Sequence, residues 1–193
     1  MNPRTSDLVV PPILLLLMVV TRLPMLGPAF HLQDASWAVF FLAGFYLKDQ
    51  WRWAFPLFMA VAVAVDYVAI QYLGISNYCV TVAYWFIVPA YASLWLGGSW
   101  LRNRMSMDIR GIALLSCSLF IAVSVCFLIS NGSFYWIGDR VAQRSWNGWL
   151  DNLGDWYLPF LQVSFAYVAV AALIHVIVLQ ARPLLASDTV QRR

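Results

Sequence analysis

Six stretches of this sequence are long and apolar enough to be read as membrane crossings, and together they leave little chain from which to build a water-facing surface. A hydrocarbon core about 30 Å thick needs roughly 20 mostly apolar residues per helix. Residues 8–26, 32–47, 53–73, 79–100, 109–129 and 157–179 meet or approach that length. The second is short and is expected to begin inside the preceding loop. Charged residues make up 11% of the chain and hydrophobic ones 62%, whereas a soluble domain carries about 25% charged residues to cover its surface. The expected fold is therefore all-α: a polytopic bundle of six transmembrane helices forming one domain over residues 1–193. No internal repeat and no linker divides it.

Orientation follows from where the cations fall. Arg4, Lys48, Arg52, Arg102, Arg104, Arg110, Arg182, Arg192 and Arg193 lie on one side of the expected bilayer, against Arg22, Arg140 and Arg144 on the other. By the positive-inside rule the N and C termini are cytoplasmic, as an even number of spans requires. The first apolar run follows Arg4 as in a signal peptide. No A-x-A-like site comes after it, so a retained helix is expected, with Pro11 and Pro12 in its first turn. The net charge of +3 is scattered over loops and tails, which gives no basic face for nucleic acid.

Several chemistries are excluded by what is missing. The chain has no GxxxxGK[ST] phosphate loop, HExxH, GxSxG or H-x-E…C-x-x-C pattern. Its three cysteines, Cys79, Cys117 and Cys126, form no CxxC pair. Cys117 and Cys126 sit among aliphatic residues of the fifth stretch, where small apolar packing is the default. His175 falls near the inner end of the sixth stretch and reads as an interfacial residue, at the opposite end from His31.

The outer half collects the rest of the polar chemistry. Asp66 is the one carboxylate deep in a span, about 10 Å below Leu73 at 1.5 Å per residue. Such a group faces a cavity or a partner inside the bundle. It is either a packing hydrogen bond between helices, with Tyr84 as one acceptable partner, or a polar contact on the floor of an outward-facing pocket. The short uncharged loop Gly74-Ile75-Ser76-Asn77-Tyr78 leads into Cys79 at the expected mouth of the fourth helix. A helix N-terminus there favours thiolate, which is both a nucleophile and a soft metal ligand. An inert thiol is the plainer alternative. His31 and Asp34 belong to the same side. So does an expected outer loop over 130–156, with Phe134, Tyr135, Trp136, Trp146, Trp149 and Trp156 among Asp139, Arg140, Arg144, Asp151 and Asp155. That loop reads either as a surface-lying amphipathic helix or as a lid over something large and flat. Asn131-Gly132-Ser133 also matches a glycosylation sequon, a short and weak signal.

Six helices in under 200 residues, no ATPase and an outer pocket resemble the substrate-binding S-components of energy-coupling-factor (ECF) vitamin transporters. The segment His31-Leu-Gln-Asp34-Ala-Ser-Trp37 is similar to the BtuM family of small bacterial cobalamin transporters of this type. Val65-Asp66-Tyr67 and Ile75-Ser-Asn-Tyr-Cys79-Val-Thr-Val-Ala-Tyr84-Trp85 carry more of the likeness, which runs over essentially the whole chain. The resemblance implies uptake of cobalamin (vitamin B12, a cobalt corrin carried as bound substrate) across the bacterial inner membrane. It implies Cys79 as cobalt ligand, with Asp66 and Tyr84 in the binding region. His31, Asn77, Tyr78 and Arg144 join them by location. A thiolate on cobalt donates electron density and should help expel cyanide from cyanocobalamin, so Cys79 is also the candidate for a decyanation step.

The first stretch contains no alanine and so lacks the AxxxA surface by which many S-components dock an energising module. The partners implied are cobalamin, the lipid bilayer, and either an ECF module or none. Small residues that would let helices pack closely fall instead at Ala60, Ala62 and Ala64 and at Ala166, Ala169 and Ala172. The competing readings are an S-component for another vitamin, a membrane thiol enzyme acting on a corrin, and a structural subunit of a larger complex.

Overall fold

The computed structural model describes residues 3–23, 32–78 and 80–191. Among them it is all helical, with no strand. The α-helices are α1 (Pro3–Arg22), α2 (Ser36–Tyr46), α3 (Trp51–Tyr72), α4 (Ile87–Arg102), α5 (Ile109–Ile137) and α6 (Trp146–Gln191). Short 3-10 turns, Lys48–Gln50 and Val82–Phe86, lead into α3 and α4.

Among the described residues, three helical segments are long and apolar enough to cross a membrane: Lys48–Tyr72, Ile109–Ile137 and Trp146–Ala181. Their outward faces are apolar. Ile112, Phe120, Ile121 and Leu128 on α5 and Val170, Leu173, Ile174 and Ile177 on α6 are all exposed. A soluble monomer rarely leaves an apolar surface of that extent open to water.

The second expected span behaves differently from the others. Its helix α2 has 11 residues, about 16 Å at 1.5 Å per residue, half the depth of a hydrocarbon core. Ser36 to Gly44 are all buried, and α2 touches each of the five other α-helices. A helix that is apolar all round belongs inside a fold, and α2 forms the axis of this one. Phe40, Phe41, Phe58, Leu94 and Val123 fill the space around it.

Two glycines set how closely α2 meets α4. A Cβ on Gly98 would overlap the Phe41 carbonyl oxygen and lie 2.8 Å from the Phe45 nitrogen. A Cβ on Gly44 would overlap the Trp95 carbonyl oxygen and lie 2.8 Å from Trp95 Cα. Ser99 Oγ donates to Gly44 O at 3.0 Å across the same seam. The close crossing therefore falls on glycines. Of the alanines expected to let helices pack closely, Ala62 is buried, but Ala60, Ala64, Ala166 and Ala169 are exposed and Ala172 is half-buried.

Other expected boundaries shift for identifiable reasons. The helix α1 runs through Pro11 and Pro12, which lie inside it rather than in its first turn. Membrane helices tolerate this because neighbouring groups satisfy the freed carbonyls. The fourth helix opens at Val82, where Thr81 Oγ1 accepts the Ala83 amide at 3.1 Å. The expected loop 130–156 is mostly helix: α5 continues to Ile137 and α6 starts at Trp146. Only residues 138–145 connect them.

Candidate functional site

Arg22 organises one end of the bundle. It ends α1, a C-terminus that favours a cation. Its Nε donates to Asp66 Oδ1 and its Nη2 to Asp66 Oδ2, both at 2.7 Å, a two-pronged pair from α1 to α3. Its Nη1 reaches Ser36 Oγ at 2.9 Å, the Tyr91 hydroxyl at 3.1 Å and Asp34 Oδ2 at 3.2 Å. Tyr84 donates its hydroxyl to Asp66 Oδ2 at 2.7 Å. One guanidinium thus joins α1, the segment leading into α2, α3 and α4. The fixed planar fork of arginine suits this, where an ammonium would act as a point charge.

Local sequence holds the parts in place. Asp34 Oδ1 accepts both the amide of Ser36 at 2.9 Å and its hydroxyl at 2.5 Å, which anchors the start of α2. Thr21 accepts the Ala35 amide at 3.0 Å while donating to Leu17 O at 2.8 Å, tying the end of α1 to the same point. The Tyr91 ring lies 4.3 Å from Phe40 on the axial helix. Arg22 is nearly buried, with 12% of its side chain exposed, against 23% for Asp66 and 44% for Asp34. Two carboxylates against one guanidinium leave a negative charge in excess, and Asp34 is the member that meets the outside. The cluster suits a ligand that brings hydrogen-bond donors, and repels anions.

Of the residues singled out from sequence, the structure brings Asp66, Tyr84 and Asp34 together through Arg22. His31 and Cys79 lie outside the described residues. Tyr78 is exposed and packs on Phe134 at 5.6 Å, with the Arg140 guanidinium 5.7 Å from its ring centre. Asn77 is exposed, and its carbonyl accepts the Val80 amide at 2.9 Å. Arg144 donates to Gly138 O at 2.6 Å and closes the 138–145 connection on itself. Asn131 is part of α5: its side chain accepts from Trp149 Nε1 at 3.0 Å and donates to Asn152 at 2.6 Å. It serves as a helix-to-helix clasp, and the sequon has no accessible loop around it. Trp136, Trp146 and Trp149 gather with ring centres 4.9 to 6.1 Å apart. They pack the C-terminal end of α5 against the N-terminal end of α6.

The sequence reading missed Arg22, Ser36 and Tyr91. A signal for the first was present. Arg22 falls four residues before the end of the expected first span and Asp66 seven before the end of the third, opposite charges at similar depth. Among the described residues, no three His, Cys, Asp or Glu side chains gather to hold a free metal ion. Comparison with family models and with curated proteins returns no match for this chain.

Replacing Tyr84 with phenylalanine is expected to cost about 1.5 kcal/mol, the lower end of the range for a hydrogen bond to a charged group, because Tyr84 is only half-buried. Thermal unfolding in detergent beside wild type measures it. An unchanged midpoint would mean that water replaces the hydroxyl without loss.

Proposed function

We propose that this chain binds cobalamin at the Arg22 end of the bundle and mediates its uptake across a bacterial inner membrane, as a multi-pass protein with both termini cytoplasmic. Cys79 supplies one axial ligand to the corrin cobalt, and the energising partner is an ECF-type module or none. The observation that carries the reading is the Tyr84–Asp66 hydrogen bond within the Arg22 cluster. It joins two residues that the resemblance assigns to the binding region, at the end where the segment 74–78 is exposed. The excess negative charge at Asp34 suits the amide N–H groups that fringe a corrin. Exposed Tyr72, Ile75, Tyr78 and Val82 at that end offer apolar area for its faces. Because the corrin brings its cobalt already held by four nitrogens, a single protein ligand suffices, and no multi-residue metal site is needed.

The chemistry of the thiolate follows as a substitution. Thiolate sulfur forms a bond to Co(III), the cobalt–carbon bond to cyanide breaks, and cyanide leaves with its electron pair. No reductant is required.

The test is the visible spectrum of protein purified after growth with cobalamin, beside a Cys79→Ser variant. A corrin spectrum displaced from that of the free vitamin, and lost or altered in the variant, is expected. The same displaced spectrum in both would remove the cysteine from the mechanism. No bound corrin in either would overturn the reading as a whole.

A further inference from the structure

At the opposite end of the bundle, a cavity of about 590 Å³ opens between α2, the α4–α5 connection and α6. Its deeper wall is apolar, with Phe41, Leu42, Leu115 and Val168. Nearer the mouth, the Tyr46 hydroxyl and His175 Nδ1 are 2.8 Å apart, and Ser106, Asp108 and Gln180 form the rim. This end carries Lys48, Arg52, Arg102, Arg104 and Arg110. Arg102 sits beside the cavity: its Nη1 donates to Phe45 O at 3.3 Å, and its guanidinium lies 5.5 Å from the Phe45 ring, itself part of the wall.

We propose that this cavity holds one acyl chain of an anionic phospholipid, with the lipid phosphate met by Arg102. The volume favours a single chain over a protein helix. A helix with its side chains is about 10–12 Å across, so the cavity would take roughly one turn of it. A single chain instead follows the apolar wall along α6 from His175 to Val168, about 10 Å at 1.5 Å per residue. Polarity is graded as a phospholipid requires. The wall is hydrocarbon at depth. Tyr46 and His175 lie at the level of the ester, where, with Tyr46 donating to Nδ1, the other ring nitrogen carries the proton and can donate to a carbonyl. Cations cluster where the headgroup would be, and basic pockets between membrane helices are a recurring means of holding acidic headgroups.

Among the side chains the structure describes, the acidic groups at this end are Asp49 and Asp108. Asp108 accepts the Ser106 hydroxyl and caps α5 through the Gly111 amide at 2.9 Å, contacts that hold its carboxyl below the usual range. Its charge is thus directed at its own helix N-terminus. Among the same described side chains, Lys48, Arg52, Arg102, Arg104 and Arg110 outnumber those two aspartates.

The test is native mass spectrometry of the full chain, reconstituted in nanodiscs with equal amounts of phosphatidylglycerol and phosphatidylcholine and then released. Wild type should retain one lipid, predominantly phosphatidylglycerol. Arg102→Gln should cut the preference for phosphatidylglycerol about fivefold, the effect of one cation at an anionic surface. Ala172→Trp, which fills the cavity from α6, should abolish retention. If that variant does not fold, Ile112→Gln, an exposed position on the wall, should reduce it severalfold. Wild type that retains no lipid, equal retention of both lipids, or cavity variants that keep wild-type retention would each overturn the proposal.

Discussion

Arg22→Met should lower the stability of this protein by about 3–5 kcal/mol, the cost of removing one partner from a buried ion pair. The effect arises less from lost attraction than from what remains. Asp66, with both oxygens committed to Arg22 at 2.7 Å, would keep only the Tyr84 hydroxyl. Asp34, half outside the bundle, can turn to solvent and contributes little to the loss. Two further variants separate charge from geometry. Arg22→Lys retains the cation but not the two-pronged contact, and should recover only part of the difference. The double variant Arg22→Met with Asp66→Leu removes both charges and should lie closer to wild type than Arg22→Met alone. Unfolding followed by tryptophan fluorescence in detergent, with ten tryptophans as reporters, measures all three. A single variant as stable as wild type would show that the cluster does not hold the four segments together.

Gly98→Ala should be as damaging, through packing alone. The new methyl would overlap the Phe41 carbonyl oxygen, and both Phe41 and Phe45 belong to the axial helix. Neither neighbour is a side chain that can swing aside. The helix α2 is held from every direction, so it cannot retreat without disturbing all five of its partners. Overpacking of a core costs typically 1–3 kcal/mol when side chains absorb it, and here backbone must move, so a loss of at least about 3 kcal/mol is expected. Gly154→Ala is the control, because nothing lies within 4 Å of a Cβ there. The comparison of monodisperse yield and unfolding midpoint between the two variants is the measurement. Equal behaviour would mean that α2 and α4 separate readily, and that the central position of α2 is not what orders the bundle.

The Arg22 cluster shows how far residue type and depth can be read from a sequence. Asp66 was legible because a carboxylate inside an apolar run faces either a cavity or a partner, and Tyr84 was one hydroxyl at a matching level. Arg22 was counted for orientation alone, as cations near span ends are, and was not considered as a partner for Asp66. It sits on the last residue of a helix and turns inward. Whether an arginine at that depth reaches water or a carboxylate depends on what the third helix places opposite it, and that is a tertiary fact. The segment 130–156 erred for a related reason. Falling hydropathy marks where lipid ends, whereas helix continues as long as its backbone bonds are satisfied and its neighbours pack. The contacts from Asn131 to Trp149 and Asn152, and the grouped tryptophans, hold α5 and α6 helical past that point.

Apolar runs and scarce charge were enough to settle the class of this protein: they permit a helical bundle with an apolar outer surface and little else, since backbone polar groups in such surroundings must be satisfied within helices. Asp66 could be singled out in the same way, with a partner or a pocket left as alternatives. That the shortest apolar run is the axis rather than a lipid-facing span, and that glycines line the tight crossing of α2 and α4, follows from the packing of the helices. It alone assigned one arginine to join α1, α3, α4 and the approach to α2. Hydropathy measures preference for leaving water, and it is the same for a residue facing lipid and a residue facing another helix. Which of the two occurs is settled by how the helices share their surfaces.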